Sequence, residues 1–505
     1  MKRQSARMDA VDSPIIPTIA KLVRDNPGTI SLGQGVVNYG PPAQAVAKLT
    51  ALMADGQLNK YQAVGGIAPL VDRFRKKLAE DNHIHCGTES IVMVTAGSNM
   101  AFLNSVLAVA DPGDEFILPL PFYFNQEMAI RMCGCVPVPV PTLSDWSLDV
   151  EALAAAITPR TRAIVTVSPN NPTGAVYSEE SLRAVNALCA RSGLYHFSDE
   201  AYEYFTYDGA RHFSPASIPG AQGHTLSFYS MSKNFGMASW RVGYVVFPAD
   251  LFGAMNKVQD TNLICAPVAS QLLALQALQL GRDWVQPKVH ALALVRAQVN
   301  QALQGLGDLV EFPNTQGAFY VLMKLPGVAD PMAFNRAMTE KHRVATLPGF
   351  AFGLNDTASA NYQRLSYGAL DAATVAEGVA RYVTAVKDWY KACAARSAPV
   401  RISPLFQPSP ETPMTSPTLE SFTAQSLDEG FDELIVREWD ANLKLDTHTH
   451  PFDVSAYVAR GEYWLMLGAE VKHLQAGDFF RLARDVPHAE LYGPEGATVW
   501  VARAN

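Results

Sequence analysis

The sequence has little positive charge, few cysteines and no long apolar run. Its 40 lysines and arginines stand against 48 aspartates and glutamates, so the formal net charge is −8. A general nucleic-acid binder usually presents a basic face, and we therefore expect no nucleic-acid partner. No segment reaches the roughly 18 apolar residues of a membrane helix, and we expect no membrane span. The N-terminus also lacks the apolar stretch of a signal peptide.

Six cysteines are scattered over the 505 residues, without the spacing of a complete zinc site. This usage is typical of a reduced intracellular protein, and we predict a cytoplasmic location. Hydrophobic residues make up 48% of the chain and charged residues 17%, which is enough apolar material for a sizeable core. The length suffices for two or three domains.

The chain divides where its composition changes. The stretch "AARSAPVRISPLFQPSPETPMTSPT", residues 394–418, has six prolines, several serines and threonines, and little apolar periodicity. Such a composition is typical of an exposed linker. We therefore predict a body at residues 1–395, a proline-rich linker at 396–418 and a separate C-terminal domain at 419–505.

The body alternates strand-like and helix-like segments. Short runs rich in Val, Ile, Phe and Tyr, such as "SIVMVTA", "RAIVTVSP" and "TLSFYSMS", are separated by helical patterns. One helical pattern, "SEESLRAVNALCARSG", begins at a capping serine, Ser178, and ends near Gly193. The alternation predicts an α/β fold with a mostly parallel sheet covered by helices. Long helical periodicity later in the body indicates a smaller α/β unit.

One lysine lies in small, aromatic and apolar company in "SFYSMSKNFGMASWRVG", residues 227–243. Lys233 follows a predicted buried strand, and a desolvated lysine has a lowered pKa and can form a Schiff base with an aldehyde. Ser230 supplies a hydroxyl beside it, and Arg241 offers a rigid fork of donors suited to a phosphate. An ordinary lysine in a surface turn is the alternative, which this stretch alone leaves open.

Two further motifs could hold an aromatic ring near that lysine. In "SDEAYEYF", Asp199 is expected at a strand end, where a carboxylate can keep a pyridine nitrogen protonated, and Tyr202 can bind a ring oxygen. In "SPNNPTG", Asn171 lies in a turn after a strand and can point its amide at the same oxygen. Taken singly, each motif is equally compatible with an ordinary turn.

A fourth motif, "TAGSNMAF", could bind a phosphate. Gly97 permits a tight turn into the helix that follows. The amides of Ser98 and Asn99 then lie at a helix N-terminus, which attracts anions. A lone glycine turn would be weak evidence, so the interpretation depends on the four motifs occurring together.

The order and spacing of the four motifs resemble those of fold-type I pyridoxal-phosphate enzymes of the class I/II aminotransferase family, over nearly all of residues 10–395. The resemblance implies a large domain at about 46–285 with a mostly parallel, seven-stranded sheet. It implies a small α/β domain formed by residues 10–45 and 286–395. It also implies pyridoxal 5'-phosphate as cofactor and a homodimer with shared active sites.

The residue roles of that family carry over position by position. Lys233, Asp199 and Tyr202 are the predicted catalytic residues: Lys233 resembles the lysine that holds the cofactor and moves the substrate's proton, and Asp199 the partner of the pyridine nitrogen. Tyr202 and Asn171 match the pair at the ring oxygen. The other matches are the phosphate-binding Gly97, Ser98, Asn99, Ser230 and Arg241, the ring-stacking Tyr123, and Tyr61, which reaches the phosphate of the neighbouring subunit.

Substrate-binding residues are implied by the same resemblance. Arg364 in "YQRLSYG" matches the arginine that binds the α-carboxylate, a natural partner of a guanidinium fork; Gly35 and Asn171 are the other substrate positions. Stretches such as "SLGQGVVNYGPP" and "PFYFNQEMAI" look most like plant methionine/aromatic aminotransferases and their bacterial relatives. We therefore predict ping-pong transamination of an apolar or aromatic L-amino acid (methionine, phenylalanine, tyrosine or tryptophan) to its 2-oxo acid. Candidate pocket walls are Tyr39, Phe122, Tyr123 and Phe124.

Two other functions stay open at this point. The same residues serve other pyridoxal-phosphate reactions, such as β- or γ-elimination or a cyclisation, because a fold does not determine a reaction. A regulatory protein that senses an amino acid, with the C-terminal domain as its ligand-binding module, is the alternative from another class. The intact set of motifs weighs against a sensor, which need not keep every catalytic side chain.

The C-terminal segment resembles a small cupin, an all-β barrel, because its short strands are broken by "RGE", "AGD" and "GPEG". In "HTH", His448 and His450 are expected on one face of a strand, and "VPHAE" supplies His488 from a later strand. Three imidazoles can hold a divalent metal. The family's usual glutamate position is Val454 here, so an empty barrel or one with an organic ligand is the alternative.

Overall fold

The chain divides between positions 399 and 400 into two compact units. The computed structural model describes residues 5–11, 13–328, 330–354, 361–397, 418–468 and 470–504. The linker predicted at 396–418 lies outside the described residues except at its ends, where one helix continues to Ser397 and Thr418 caps the next. Within the described ranges, no helix is long and apolar enough to cross a membrane.

The first unit alternates strands and helices along the chain. Its strands are β1 Ile30–Ser31, β2 Ser90–Thr95, β3 Glu115–Leu120, β4 Val136–Pro141, β5 Thr161–Val167, β6 Tyr195–Asp199, β7 Thr225–Ser230, β8 Gly243–Pro248, β9 Tyr320–Lys324, β10 Val344–Ala345, β11 Leu347–Pro348 and β12 Tyr362–Ser366. Its helices are α1 Ala6–Asp9, α2 Ile15–Asp25, α3 Ala43–Met53, α4 Ala68–Asn82, α5 Ser98–Val109, α6 Phe124–Met132, α7 Val150–Ala155, α8 Glu179–Ser192, α9 Met231–Asn234, α10 Phe252–Asn262, α11 Val268–Leu278, α12 Gly281–Gln304, α13 Pro331–His342 and α14 Ala372–Ser397. Short 3₁₀ turns lie at Gly56–Asn59, Pro215–Ser217, Ala221–Gly223, Ala238–Trp240, Ala249–Leu251, Gly307–Leu309 and Gly349–Phe352.

Seven strands form one mixed sheet in the order β2–β8–β7–β6–β5–β3–β4. The strands from β7 to β4 in this order run parallel, whereas β8 is antiparallel to both β2 and β7. β7 and β8 are buried at every residue, as expected for strands with both faces covered. The predicted mostly parallel, seven-stranded sheet is confirmed. Since β5, β6 and β7 run parallel, their carboxyl ends, where Asp199 and Ser230 lie, meet at one edge.

Two smaller sheets belong to the same unit. β1 pairs in parallel with β10, and β11, β12 and β9 form an antiparallel sheet in that order. Arg364 lies on the central strand β12, in register with Leu322 and Leu347 on its two sides. Hydrogen bonds on both sides hold the backbone at Arg364, so its long side chain starts from a rigid base.

Helix α8 shows how local signals determine an element. Ser178 caps it, because its Oγ accepts the N–H of Ser181 at 3.1 Å. The helix ends at Gly193, whose φ of +66° is a left-handed conformation that glycine adopts without steric cost. Both boundaries agree with the prediction from "SEESLRAVNALCARSG".

The second unit is an antiparallel β-region preceded by one helix. The helix is α15 Leu419–Asp428, and the strands are β13 Glu433–Trp439, β14 Lys444–His448, β15 Asp453–Leu467, β16 Glu470–Gln475, β17 Phe479–Leu482 and β18 His488–Ala504. They form a sheet in the order β13–β18–β15–β16, in which β14 also pairs with β18 and β17 with β15. The predicted all-β region is confirmed. Helix α15 was not predicted; its reciprocal cap joins Thr418 to Ser421, which departs from the usual pairing with Glu or Gln.

A buried ion pair joins α4 to the segment that follows β6. Lys77 on α4 donates to Glu203, and their side chains are only 4% and 3% exposed. Asn82 donates to Glu203 Oε2 at 2.8 Å, and Asn234 on α9 donates to Oε1 at 3.1 Å. One carboxylate thereby connects α4 and the turn after β6 to α9, the helical turn that carries Lys233.

Replacing Lys77 by methionine should lower the free energy of unfolding of the first unit by about 3–5 kcal/mol, because it leaves the Glu203 carboxylate buried without its countercharge. Urea unfolding followed by tryptophan fluorescence measures the change. Lys76→Met is the matched control, since Lys76 lies on the same helix and its side chain is 68% exposed; its effect should stay within about 0.5 kcal/mol. Equal losses in the two variants would contradict the role of the ion pair.

Candidate active site

The carboxyl ends of the parallel strands border one cavity of about 330 Å³. Ligands of open α/β sheets bind at this edge, and the volume is that of a small-molecule site. Eleven of the thirteen residues predicted to bind cofactor or substrate line the cavity. They are Gly35, Ser98, Asn99, Tyr123, Asn171, Asp199, Tyr202, Ser230, Lys233, Arg241 and Arg364.

Lys233 lies on α9, the single helical turn after the buried strand β7. Ser230 caps this turn, because its Oγ accepts a backbone N–H at 3.1 Å, and Lys233 Nζ donates to the carbonyl of Gly35. Desolvation, with a smaller effect of the positive charges of Arg241 and Arg364, lowers the pKa of Lys233 to about 8. The amine is therefore far easier to deprotonate near neutral pH than an exposed lysine.

Asp199 ends β6, and its carboxylate is held by two donors. Gln126 on α6 donates to Oδ2 at 2.7 Å, and the N–H of Ala201 donates to Oδ1 at 3.1 Å. Burial raises the pKa of Asp199 to about 6. A protonated nitrogen beside this carboxylate would favour its charged form, so the position suits a basic ring nitrogen. Gln126 was not predicted, since nothing in its local sequence marks it as a partner of Asp199.

Gly97 and Arg241 build a group of donors at the N-terminus of α5. Gly97 precedes the helix with φ +84° and caps it without a side chain, which leaves the amides of Ser98 and Asn99 for a ligand. A Cβ at Gly97 would lie 2.3 Å from Arg241 Nη2, so only glycine lets the guanidinium approach the helix. Backbone N–H groups, the helix dipole and a guanidinium together suit a phosphate.

Three tyrosine hydroxyls face the cavity. Tyr202 Oη lies 2.7 Å from Tyr320 Oη, and Asn171 Nδ2 donates to Tyr202 Oη at 3.4 Å. Tyr123 Oη accepts a hydrogen bond from Asn125 Nδ2 at 2.7 Å. Burial raises the pKa of all three tyrosines, so they keep their protons and can donate. Tyr320 was not predicted, because it lies on β9, far along the chain from the motifs.

Arg364 is a buried cation whose hydrogen-bond partners are neutral. Nη1 donates to Asn171 Oδ1 and Nη2 to the carbonyl of Gly33, each at 2.7 Å, while the buried Nε has no partner. The guanidinium carbon lies 4.5 Å from the centre of the Tyr320 ring and 5.0 Å from that of Phe352. Burial of a charge without a countercharge is costly, so this position favours an incoming carboxylate.

Two predicted residues do not line the cavity. Gly97 acts behind it, where it lets Arg241 approach α5. Tyr61 lies on the surface, is 81% exposed and is not among the residues that line the cavity. Its predicted contact with the phosphate of a neighbouring subunit stays a prediction.

Of the four aromatic residues predicted to form the pocket walls, two line the cavity and two do not. Tyr123 and Phe124 line the cavity, whereas Tyr39 and Phe122 do not. Tyr39 instead donates its hydroxyl to the backbone carbonyl of Lys233 at 3.0 Å, and Phe122 lines a neighbouring cavity. Lining residues that the sequence did not single out are Pro14, Ile16, Gln34, Asn125, Val167, Ala201 and Tyr320.

Comparison with known proteins places this arrangement in a family. The family model for aminotransferase class I and II matches residues 27–381. This chain belongs to the class I and II aminotransferases. An aromatic aminotransferase of Arabidopsis thaliana is 34% identical over 389 residues, which cover 75% of this chain and 94% of that protein. An aspartate/prephenate aminotransferase of Thermus thermophilus is 33% identical over 352 residues, with coverages of 69% and 88%.

Solved structures of aminotransferases share the fold. The aspartate aminotransferase from Thermus thermophilus, solved with maleate, superposes with a TM-score of 0.70 at 31% identity and covers 76% of this chain and 100% of its own. The aromatic aminotransferase from Pyrococcus horikoshii gives 0.67 at 30% identity, with coverages of 74% and 99%. The chain is an enzyme of the aminotransferase type with fold type I, as predicted. Enzymes of this class use pyridoxal 5'-phosphate.

The residues of the cavity fit this cofactor. The donors around Gly97 and Arg241 match its phosphate in charge and number. Asp199, with its raised pKa, matches the basic ring nitrogen, and the amine of Lys233 matches the aldehyde. The amide of Asn171, together with the hydroxyl network of the tyrosines, matches the ring oxygen.

Three histidines form a second cluster, in the C-terminal unit. The ligating atoms of His448, His450 and His488 all lie within 4.8 Å of one another. His488 is 2% exposed, and its Nε2 has no hydrogen-bond partner. The sequence-based expectation needs one correction: β14 ends at His448, so His450 lies beyond the strand. The alternation on which the expectation depended therefore does not extend to His450, although its ring still joins the cluster.

A cavity of about 200 Å³ surrounds this histidine cluster. Val454 lines it, at the position where the resemblance expects glutamate. A carboxylate is nevertheless present, because Glu490 follows His488 by two residues on β18 and lines the same cavity. Tyr492 donates to Glu490 Oε2 at 2.5 Å, and Oε1 lies 4.0 Å from His488 Nε2. Glu490 was not predicted, although residues two apart on a strand share a face.

Replacing Gly97 by alanine should weaken the binding of pyridoxal 5'-phosphate at least tenfold, or about 1.4 kcal/mol, because the new Cβ displaces the guanidinium of Arg241. Titration of the apoenzyme, followed by cofactor absorbance, measures the dissociation constant. Gly113→Ala is the matched control: Gly113 has φ +93° and open space around its Cβ position, so it carries the backbone strain without the contact. The same loss in both variants would assign the effect to strain alone.

Proposed function

We propose that this enzyme transfers the amino group of an apolar or aromatic L-amino acid to a 2-oxo acid by a ping-pong reaction. Methionine, phenylalanine, tyrosine and tryptophan are the proposed donors. The proposal depends on the number of positively charged side chains that line the cavity. Among the described lining residues, the cations besides Arg364 are Lys233 and Arg241, which we assign to the cofactor. The side-chain carboxylate of aspartate or glutamate would find no further cation of this chain there.

Arg364 is the proposed partner of the α-carboxylate. Its Nε is unpaired, and its other contacts are to neutral groups, so a carboxylate would supply the missing charge and acceptor. Asn171 orients the guanidinium through its Oδ1. The carbonyl of Gly33 supports the same orientation from the N-terminal segment, and Gly35 lines the cavity beside it.

One part of the cavity wall is apolar. Ile16 on α2, Pro14 before it and Phe124 on α6 line it, and the Phe124 ring lies 5.7 Å from that of Phe352. Burial of an apolar substrate side chain against such groups contributes roughly 25 cal/mol for each Å² removed from water. The 34% identity to an aromatic aminotransferase supports the same choice.

The roles of the other residues follow from the fit to the cofactor. When bound, pyridoxal 5'-phosphate supplies an aldehyde for amines and an electron-withdrawing ring that stabilises negative charge at the α-carbon. Lys233 Nζ takes the α-proton as general base and returns it as general acid, for which its lowered pKa is suited. With the cofactor bound, Asp199 would keep a proton on the ring nitrogen. Tyr202 Oη and Asn171 Nδ2 would donate to the ring oxygen.

We also propose a homodimer with shared active sites, supported by the exposure of Tyr61. Its ring extends from the surface of the single chain and is available to the phosphate bound by a second copy. A single-chain mass of the holoenzyme in light scattering would contradict the dimer. A cytoplasmic location stays a prediction from composition.

For the C-terminal unit we propose a cupin-type domain that holds a divalent metal at His448, His450 and His488. Their ligand atoms are close enough to reach one ion, and His488 has a buried nitrogen without a partner. Imidazoles suit Zn²⁺, Fe²⁺, Ni²⁺ and Cu²⁺. Glu490 adds negative charge beside them.

Mixing the holoenzyme with single L-amino acids tests the main proposal. Phenylalanine, tyrosine, tryptophan or methionine should convert the cofactor to its amine form and release one equivalent of 2-oxo acid, whereas aspartate should react at least tenfold more slowly because its second carboxylate lacks a cation. Absorbance and chromatography of the acid measure both.

Lys233→Ala is the control, because it keeps the cavity but removes the proton-transferring amine. It should lose nearly all turnover. Release of ammonia together with a 2-oxo acid, without the amine form of the cofactor, would indicate elimination instead. Faster reaction of aspartate than of phenylalanine would overturn the proposed donor class while leaving transamination in place.

Metal analysis tests the C-terminal proposal. The purified full-length protein, loaded with Co²⁺ and desalted, should hold about one ion per chain. A His448→Ala/His450→Ala variant should hold none, since one imidazole alone binds a divalent ion weakly. His473→Ala is the matched control, because His473 lies on β16 of the same unit, outside the cavity, and pairs with Glu462. Equal metal content in all three proteins would exclude the site.

A further inference from the structure

We propose that the cavity of the C-terminal unit is a second binding site for a 2-oxo acid, held between the metal and Arg503. The inference rests on the proposed metal at His448, His450 and His488. It concerns a cavity lined only by residues of the C-terminal unit, and it assigns a chemical role to an arginine that metal binding leaves unexplained.

The metal cluster leaves room for a ligand. A site with three protein ligands keeps at least one coordination position open, which is the arrangement of catalytic rather than structural metal centres. His448 Nδ1 and His488 Nδ1 lie 2.8 Å and 2.9 Å from the backbone carbonyls of Asp446 and Val486. These contacts orient the two rings with Nε2 towards the cavity, as outer contacts of metal-binding histidines generally do.

Arg503 supplies a positive charge in the same cavity. It lies on β18 opposite Val454 in register, and both side chains line the cavity with the histidines. Its guanidinium carbon is 4.4 Å from the centre of the Phe452 ring, and that ring stacks on His450 with centroids 5.2 Å apart. Arg503 is thus connected to the histidine cluster through one aromatic ring.

The donor capacity of Arg503 is only partly used. Its Nη1 lies 3.5 Å from Glu433 Oε2, on a side chain that is half exposed, and its buried Nε has no partner. A buried donor without an acceptor is unfavourable. A carboxylate is the acceptor that a guanidinium prefers, because two parallel hydrogen bonds can form.

Apart from Arg437, an exposed residue of β13, the rest of the lining is mainly apolar and aromatic. The cavity measures about 200 Å³, which is enough for a small molecule and too little for a peptide. Its apolar walls are Trp439, Leu445, Phe452, Tyr463, Phe480 and Leu482. A ligand that fits must therefore combine an anionic end, a donor atom for a metal and an apolar body.

A 2-oxo acid meets all three requirements. Its carboxylate pairs with Arg503, its carboxylate and carbonyl oxygens can both bind the metal, and its side chain contacts the aromatic walls. An anionic ligand also offsets excess positive charge, since Arg437 and Arg503 line the cavity beside the proposed divalent ion, against the single carboxylate of Glu490. The same class of molecule is the product proposed for the first unit, so one chain would make and bind it at different sites.

The experiment uses the full-length holoenzyme loaded with Co²⁺, whose visible absorption reports changes in its ligands. Subtracting the spectrum of metal-free holoenzyme removes changes that arise at pyridoxal phosphate. Phenylpyruvate should shift the cobalt bands saturably. Phenylacetate, which keeps the carboxylate and the ring but lacks the 2-oxo group, should bind at least tenfold more weakly.

Arg503→Gln should bind the same amount of cobalt but raise the dissociation constant of phenylpyruvate at least tenfold. Arg460→Gln is the matched control, an exposed arginine on β15 outside the cavity lining, and it should match the unmodified protein. An unchanged dissociation constant in Arg503→Gln would overturn the role of that residue. The comparison of phenylpyruvate with phenylacetate needs no variant, so it decides the ligand class even if Arg503→Gln fails to fold.

The outcomes separate this inference from the proposals on which it rests. Cobalt bands that phenylpyruvate leaves unchanged would overturn the second site while the metal site stands. Equal binding of phenylacetate would overturn the 2-oxo acid in favour of simple carboxylates. Failure to bind cobalt would overturn the metal and this inference together, and none of these results bears on transamination by the first unit.

Discussion

Excess positive charge in one cavity is the constraint on which the active site depends. Lys233, Arg241 and Arg364 face a space whose lining, among the described residues, contributes a single carboxylate, Asp199. A guanidinium keeps its proton under such conditions, whereas an amine can release one. Desolvation is the largest cause that lowers the pKa of Lys233. The positive charges of Arg241 and Arg364 lower it further, to about 8. A phosphate and a substrate carboxylate would offset the two arginine charges, so the anions that the site is built to bind also make its charge arrangement favourable.

Such a cavity requires a rigid frame, because small shifts change the energy of closely spaced charges steeply. The frame comes from the carboxyl edge of a parallel sheet and from polar groups buried just behind it. Glu203 joins three elements through Lys77, Asn82 and Asn234, and Gln126 fixes Asp199. At the end of the cavity that suits a phosphate, the frame depends on glycine at position 97. A Cβ there would lie 2.3 Å from Arg241 Nη2 and would keep the guanidinium away from α5.

Most of the residues that sequence reasoning recovered lie in short motifs whose turn or strand end is encoded locally; Arg364, within strand β12, is an exception. "SPNNPTG", "SDEAY" and "SMSK" end the parallel strands β5, β6 and β7, so their carboxyl ends meet at one edge. "TAGSN" ends β2, which has the same direction because the antiparallel strand β8 separates it from β7. Gln126 and Tyr320 escaped prediction because their partners, Asp199 and Tyr202, lie 73 and 118 residues away. His450 joins the predicted cluster, but not through strand alternation. That rule applies only along a strand, and β14 ends at His448. Glu490 was within reach of the same rule, because burial alternates along β18 from His488 to Tyr492.

The two proposed ligand sites differ in how they would treat a 2-oxo acid, and stoichiometry limits what the second can do. One cavity per chain can withdraw only one equivalent of product by binding, whereas the first site turns over many. Binding alone therefore cannot pull a reversible transamination forward by mass action once product exceeds enzyme. A second site affects the flux only if it converts its ligand or if its occupancy changes the behaviour of the protein. A metal with an open coordination position, next to a carbonyl oxygen and a guanidinium, has the groups needed to polarise that carbonyl. Without a metal, the pocket could act only through the effect of its occupancy on the behaviour of the protein. The metal is therefore the feature that would allow the second site to convert its ligand.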